Sequence, residues 1–165
     1  MTCERRKYIN AALIRAERMC VQLMKNVLFF LTPKNDVAYI KDTFTIRQAL
    51  ENMRNHNYTA IPVISENGKY VGTITEGDFL WAVYDTGGGK MRDIETHRVS
   101  ELERRHDNIA VSTDAAMESL VQHAMNQNFV PVVTDDGIFI GIVTRKAIIE
   151  YYAGVNRAYA KGEAK

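Results

Sequence analysis

The sequence contains one internal repeat, and this feature constrains the fold more than any other. The segment 60–64 (AIPVI) recurs as 129–133 (FVPVV), and 68–75 (GKYVGTIT) recurs as 137–144 (GIFIGIVT). Proline, both glycines and the final threonine return at an offset of 69 residues. A period this long does not fit a solenoid unit, so the sequence predicts a small motif that is used twice.

Both copies predict the same order of elements, β-α-β-β-α. The first strands are predicted at 37–40 and 109–111, and each is followed by apolar residues at helical spacing. Thr45 with Gln48 predicts a capping box at the start of the first helix. The apolar helix positions are Ile46, Ala49, Leu50 and Met53 in the first copy and Met117, Leu120, Val121 and Ala124 in the second.

Two further strands and a second helix complete each copy. Asn67-Gly68 and Asp136-Gly137 are hairpin-turn sequences in which glycine supplies the positive φ. Pro62 and Pro131 lack an N–H group, which predicts that each lies at the start of a strand or at a sheet edge. The strands are apolar almost throughout, so we expect burial on both faces. The second helices are predicted at 76–84 and 145–152.

The repeat divides the chain into five parts. The predicted bounds are an N-terminal extension at 1–23, a first motif at 24–85, a linker at 86–105, a second motif at 106–155 and a C-terminal tail at 156–165. The linker opens on three glycines, which indicates a flexible turn. A phosphate-binding loop is excluded there, because Met91 replaces the serine or threonine that follows the lysine of such loops.

The N-terminal extension has a composition of its own. It holds both cysteines of the chain, Cys3 and Cys20, and five basic residues against two acidic ones. Its apolar residues predict an amphipathic helix that could pack on the motifs, contact a membrane surface or bind a partner. A second hypothesis is that natural translation starts at Met24, because the repeat pattern begins just after it.

Charge and cysteine content exclude several classes of protein. The chain has 21 Lys and Arg residues and 20 Asp and Glu residues, so its net charge of +1 gives no overall field to attract nucleic acid. The apolar run at 27–31 is far shorter than the roughly 20 residues that span a bilayer, so no integral membrane segment is predicted. Two cysteines do not form a disulfide framework, and we expect a cytoplasmic protein. The histidines show no metal-ligand spacing, so no metal site is predicted.

The repeated segments resemble the CBS domain, a small regulatory motif named after cystathionine β-synthase, in its paired, stand-alone bacterial form. The resemblance spans 26–152 and depends on 60–63 (AIPV) before the hairpin and 72–78 (GTITEGD) after it. It implies an α+β fold with two motifs related by a pseudo-twofold axis, usually assembled as a homodimer. It also implies clefts between the motifs that bind an adenosine-containing ligand such as AMP, ATP, S-adenosylmethionine or cyclic di-AMP.

Thr75 and Asp78 are the leading candidates for ligand binding. The aspartate follows the strand-ending threonine by one helical turn, and a carboxylate can accept hydrogen bonds from both hydroxyls of a ribose. Thr75 can bind the ribose or a phosphate, helped by the positive end of the helix dipole. The same two residues also form a capping-box pattern, and the two roles are compatible.

Other candidates surround the predicted base. Pro62 leaves the neighbouring strand edge open, so nearby main-chain groups can read the edge of adenine. These are the groups of Tyr58, Thr59, Ala60 and Ile61. The family resemblance places Ile40 and Lys41 on the other side of the base.

The second copy departs from this pattern. Thr144 matches Thr75, but Ala147 stands where the first copy has Asp78, and a methyl group cannot accept a hydrogen bond from ribose. Its cleft is therefore either empty or binds a ligand mainly through phosphate. Arg145 and the following lysine either supply positive charge there or are solvated surface cations. Val130, which repeats Ile61, completes the candidate set.

Two further groups of residues leave alternatives open. The basic cluster Arg104-Arg105-His106 either contacts phosphates across the cleft or forms a solvated turn. Aromatic residues on the second helices either pack in the core or contribute to a dimer interface. They are Phe79, Trp81, Tyr84, Tyr151 and Tyr152.

The sequence predicts a non-catalytic regulatory module. An adenosine-containing ligand would bind between the motifs and alter an unidentified partner protein through a population shift, without any further cofactor. The alternative is a protein interaction module with vestigial ligand sites, which Ala147 favours and Asp78 opposes. An enzyme is not predicted, because the sequence shows no nucleophile with its base and no recognisable pair of catalytic carboxylates.

Overall fold

The computed structural model describes residues 26–85 and 90–160, and the same architecture occurs in it twice. The strands are β1 (Thr32–Pro33), β2 (Ile40–Lys41), β3 (Ala60–Ile64), β4 (Tyr70–Thr75), β5 (Val111–Ser112), β6 (Phe129–Val133) and β7 (Phe139–Thr144). The α-helices are α1 (Ile46–His56), α2 (Glu76–Asp85), α3 (Met91–Ile94), α4 (Met117–Asn126) and α5 (Arg145–Ala160). The predicted N-terminal extension and the glycines 87–89 lie outside the described residues.

Each half is built on a small mixed sheet. The first sheet has the order β2-β3-β4, with β2 parallel and β4 antiparallel to the central strand. The second sheet repeats this arrangement as β5-β6-β7 and gains β1 as an antiparallel strand beside β7. The predicted α+β fold with tandem β-α-β-β-α motifs is confirmed. No helix in the described ranges combines the length and hydropathy that crossing a bilayer requires.

A pseudo-twofold axis passes between the two hairpins. The Tyr70 N–H donates to the Gly137 carbonyl at 3.0 Å, and the Phe139 N–H donates to the Gly68 carbonyl at 2.9 Å. Tyr70 is the repeat equivalent of Phe139, and Gly68 that of Gly137, so a twofold rotation relates the two bonds to each other. A shared apolar core lies between the halves and consists of Val37, Ile64, Phe129, Phe139 and Ile142.

The local sequence signals act as predicted. Thr45 and Gln48 form the capping box of α1, with reciprocal bonds of 3.2 Å and 2.9 Å. Gly68 and Gly137 adopt φ values of 79° and 80° in their turns. The start of α4 differs, because Ala116 occupies its N-cap position and forms no side-chain cap.

Several predicted bounds were wrong. The first strand of each copy begins only at Ile40 or Val111, and α5 continues to Ala160, eight residues beyond its predicted end and into the predicted tail. Pro62 lies in the middle of β3 opposite Thr73, not at the strand start. Because β2 pairs only with residues 63 and 64, the other side of Pro62 is an open edge, as predicted.

The segments before each motif pack on the opposite half. Val27 is fully buried in the second core, and β1 pairs with β7. The predicted linker 86–105 is also not simply a polar connection, because Ile94, Val99 and Leu102 are buried in the first core. The predicted domain bounds follow the sequence repeat, but residues of the linker pack in the first core and Val27 packs in the second.

Candidate functional site

Two clefts lie between the halves, on opposite sides of the pseudo-twofold axis. We name them by the strand whose end they contain. The β7 cleft contains Thr144 and the first residues of β3, and the β4 cleft is the equivalent, closed region around Thr75, Asp78 and residues 105–108. The repeat relates the two clefts, so their differences show what each can bind.

The β7 cleft is open. It holds a cavity of about 220 Å³, which is lined by Tyr58, Thr59 and Ala60 of the first half and by Asn128, Phe129 and Thr144 of the second. A second cavity of about 310 Å³ is also lined by Tyr58, together with Asp36, Ala38, Asn52 and His56. Both halves therefore contribute walls to the first cavity, which can receive a small molecule, and the second cavity adjoins it at Tyr58.

Polar groups without protein partners lie along the β7 cleft. No other described residue forms a hydrogen bond with the main-chain N–H or C=O of Ala38. The Asn52 Oδ1 atom is buried and also has no hydrogen-bond partner among the described residues. Buried polar groups in proteins are nearly always paired, so the Asn52 oxygen is well suited to accept a hydrogen bond from a ligand, and the half-buried Ala38 offers its two main-chain groups beside it.

Thr144 lies at the start of α5, where an anion is favoured. Its Oγ1 accepts a hydrogen bond from the Ala147 N–H at 3.1 Å, which leaves the hydroxyl hydrogen free to donate. The helix is 16 residues long, so its first N–H groups carry the positive end of a substantial dipole. The Arg145 Nε donates to the Gln127 carbonyl at 3.0 Å, and Lys146 is exposed, with Nζ 3.8 Å from Glu150 Oε1.

Asp78 in the β4 cleft is fully engaged by the protein. Only 3% of the residue is exposed. Its Oδ2 accepts hydrogen bonds from the N–H and the hydroxyl of Thr75, both at 2.8 Å, and its Oδ1 accepts from the Arg105 N–H at 3.1 Å. Thr75 and Asp78 therefore cap α2. Ribose binding by Asp78 stays a prediction, and it requires a rearrangement that exposes this carboxylate.

The segment 104–108 covers the end of the first sheet next to Asp78. Arg104 Nε pairs with Asp107 at 3.0 Å, and Asp107 accepts from the Thr73 N–H at 2.9 Å. The Tyr70 hydroxyl donates to the Asn108 carbonyl at 2.9 Å. Burial raises the pKa of the Tyr70 phenol, because a phenolate there would lose its hydration.

Arg105 contacts α2 and lines, with Trp81 and Asp85, a separate cavity of about 210 Å³. Its guanidinium carbon lies 4.6 Å from the centre of the Trp81 ring, and one guanidinium nitrogen lies 3.3 Å from Asp85 Oδ2. Arg104 and Arg105 thus contact protein groups, whereas His106 is exposed.

The comparison with protein families agrees with this geometry. The model of the CBS domain matches residues 25–85 and 99–154. The chain belongs to the CBS domain family.

Among known relatives, the CBS domain-containing protein CBSX1 of Arabidopsis thaliana is 23% identical over an alignment of 152 residues, and the match covers 78% of this chain. The chain covers 64% of that relative's length and 58% of a second relative, the uncharacterized protein MJ1225 of Methanocaldococcus jannaschii. The chain thus spans less than two thirds of these relatives.

Solved structures of CBS proteins share the fold. CbpB in complex with c-di-AMP has a TM-score of 0.74 at 23% identity, and the match covers 89% of this chain and 97% of CbpB. CBSX2 in complex with AMP has a TM-score of 0.65 at 22% identity, with 80% of this chain and 97% of CBSX2 covered.

The CBS pair brings together only part of the predicted site. Tyr58, Thr59, Ala60 and Thr144 line the β7 cleft, and Arg145 lies beside it. Thr75 and Asp78 contact each other in the β4 cleft. The side chains of Ile40, Ile61 and Val130 are fully buried in the cores, so only their main chains could contact a ligand, and Lys41 is partly exposed on β2.

Three residues that matter in the clefts were missed by sequence reasoning. Ala38 and Asn52 have no motif around them, and only the folded chain places them in one cavity. Gln127 carried a usable signal, because the repeat aligns it with Tyr58, a residue of different chemistry.

Proposed function

We propose that this chain is a non-catalytic regulatory module that binds an adenosine-containing ligand in the β7 cleft and alters a partner protein. The observation that carries the proposal is an open cleft between the two CBS motifs, with the hydroxyl of Thr144 on its wall and, in the adjoining cavity, the main-chain groups of Ala38, which pair with no described residue. The ligands of CbpB and CBSX2, c-di-AMP and AMP, support the same class of ligand.

The wall chemistry suits the parts of an adenine nucleotide. Adenine presents an N–H donor beside a ring-nitrogen acceptor, and the C=O and N–H of one residue, Ala38, complement both. A phosphate is favoured at the start of α5, where Thr144 can donate a hydrogen bond. Ala147 provides no carboxylate for the ribose, so phosphate and base contacts supply most of the affinity in this cleft.

Regulation would follow from the position of the cleft. Its walls come from both CBS motifs, so a bound ligand contacts both and favours one relative arrangement of them. A ligand shifts such an equilibrium only through its different affinity for the two arrangements. A partner that contacts both motifs would detect this shift.

Filling the β7 cleft should abolish ligand binding. We expect AMP at 100 times its dissociation constant to stabilise the wild-type protein by about 2.7 kcal/mol. Ala60→Phe places in the first motif the residue that the second motif has at this position, and its ring would occupy the cavity. The variant should show no AMP-dependent rise in melting temperature by differential scanning fluorimetry.

A matched variant controls for the added ring. Ala116→Phe adds the same side chain at an exposed position outside both cavities, and it should keep the response to AMP. If AMP, ATP, S-adenosylmethionine and cyclic di-AMP all leave the wild-type melting temperature unchanged, the proposed function is contradicted. The alternative, an interaction module with vestigial sites, would then be favoured.

We also propose that the regulated form is a homodimer. Each half exposes apolar side chains on its second helix, and Leu80 on α2 is the repeat equivalent of Ile149 on α5. They are 64% and 60% exposed. Trp81 and Tyr84 extend the patch on α2, and exposed aromatic residues are typical of interface cores. A surface that repeats itself across a pseudo-twofold axis suits an isologous contact with a second copy.

A charge in this patch should dissociate the dimer. We expect the wild type to elute with the mass of two chains in size-exclusion chromatography with light scattering, and Leu80→Glu with the mass of one. Ile109→Glu, at a position that is 60% exposed and outside both helices, should remain dimeric. A monomeric wild type at micromolar concentration would contradict the proposed dimer.

A further inference from the structure

In the β4 cleft a buried side chain pairs with main-chain groups whose repeat equivalents, in the β7 cleft, have no partner among the described residues. Gln127 Oε1 accepts a hydrogen bond from the Ile109 N–H at 2.9 Å, and its Nε2 donates to the Ile109 carbonyl at 3.2 Å. The same Nε2 lies 3.3 Å from the Phe129 carbonyl. Only 7% of Gln127 is exposed. The amide thus pairs with both polar main-chain groups of one residue.

The repeat shows what this pairing replaces. Ile109 in the second motif is equivalent to Ala38 in the first, and Gln127 is equivalent to Tyr58. No described residue pairs with the Ala38 N–H or C=O, and the first motif has no amide side chain at the position of Gln127. A primary amide offers this pair of groups, as does the edge of an adenine base.

Further hydrogen bonds with protein groups occupy polar atoms of the β4 cleft near Gln127 and at Asp78. Asn108 Nδ2 donates to the Phe129 carbonyl at 2.9 Å, which adds a second amide at the same edge. Phe129, the repeat equivalent of Ala60, has its ring in the apolar core between the halves and in the wall of the β7 cleft. Asp78, at the far end of this cleft, accepts a hydrogen bond from the Arg105 main chain.

We infer that the side chain of Gln127 is an internal occupant of the β4 cleft, where it takes the place of a ligand's base. The wild-type chain then binds one adenine nucleotide, in the β7 cleft, and the cleft with Asp78 becomes available only when the Gln127 amide is displaced. This inference depends on the proposed function, since it assumes that adenine nucleotides bind between the motifs. It assigns to Gln127 a role in setting the number of ligands per chain.

The two clefts allow a reciprocal test by isothermal titration calorimetry with AMP. We expect one AMP per wild-type chain. Gln127→Ala removes the internal amide and should raise the number to two. Tyr58→Gln places an amide opposite the free Ala38 groups and should lower the number to zero. Gln127→Glu keeps the size of the side chain, but an ionised carboxylate cannot donate to the two carbonyls, so it provides a second variant if Gln127→Ala does not fold.

Hydrogen exchange gives a readout that needs no ligand. The Ile109 amide is held by Gln127 Oε1, so its exchange should be at least about tenfold faster in Gln127→Ala, as expected when one such bond of about 1.4 kcal/mol is lost. The Asp42 amide, which donates to the Ile64 carbonyl in the first sheet, should exchange at the wild-type rate.

The outcomes separate this inference from the proposed function. One AMP per chain in both the wild type and Gln127→Ala overturns the inference and leaves the proposed function intact. Two AMP molecules per wild-type chain also overturn it, since the β4 cleft is then open. No binding to the wild type but one AMP in Gln127→Ala supports the role of Gln127 and contradicts binding in the β7 cleft. No binding to either protein overturns both.

Discussion

Replacing Phe139 by alanine is expected to lower the free energy of unfolding by about 3–5 kcal/mol. The ring is 1% exposed and lies in the apolar core between the two CBS motifs. It packs against the rings of Tyr70 and Tyr39, with centroid distances of 6.2 Å and 6.3 Å. Its removal leaves a cavity at the pseudo-twofold axis, where β4 and β7 meet and the backbone cannot collapse easily. Urea denaturation followed by circular dichroism measures the loss.

The matched control is Phe29→Ala. Phe29 is 59% exposed, so the same truncation there should cost less than about 1 kcal/mol. If the two variants lost similar stability, the core between the motifs would not be a main source of stability in this fold.

Replacing Gly141 by alanine should destabilise the protein by about 3 kcal/mol. A Cβ atom at this position would overlap the carbonyl oxygen of Thr32 and would lie 2.9 Å from Leu31 Cδ1. The overlap is with the backbone of β1, which cannot move aside without breaking its pairing with β7. We therefore expect β1 to separate from the second sheet, and hydrogen exchange of residues 26–33 should become faster.

Gly154→Ala is the control for this substitution. Gly154 lies within α5, and an added Cβ would meet nothing within 4 Å. Alanine is a better helix former than glycine by about 1 kcal/mol, so this variant should be as stable as the wild type or more stable. A Gly141→Ala protein within 0.5 kcal/mol of the wild type by the same urea titration would contradict the close approach of β1, given that a clash of this kind costs roughly 1–3 kcal/mol.

The sequence predicted those features that depend on neighbouring residues. The capping box of Thr45 and Gln48 and the positive φ of Gly68 and Gly137 follow from a few adjacent positions. The order of strands and helices followed from the repeat, because two equal patterns are much harder to misread than one. The two equivalent glycines of the repeat are each crowded by a different neighbour: β1 approaches Gly141, and the side chains of Arg104 and Asp107 approach Gly72.

The state of each cleft could not be read from the motifs. Thr75 and Asp78 carry the recognisable pattern, but whether the carboxylate is free depends on Arg105, 27 residues farther along the chain. Whether the base edge is free depends on Gln127 and Ile109, which are 18 residues apart. Such pairings are set by tertiary packing, and no local pattern records them.

The segment before each motif packs on the other motif, so the two motifs depend on each other for a complete core. Val27 completes the core of the second motif, and Val99 with Leu102 completes the core of the first. A single motif cut from this chain would expose apolar side chains to water, and its core would lack the residues that the rest of the chain supplies. We therefore expect the two motifs to melt in one cooperative step, and a chain cut to one motif not to fold.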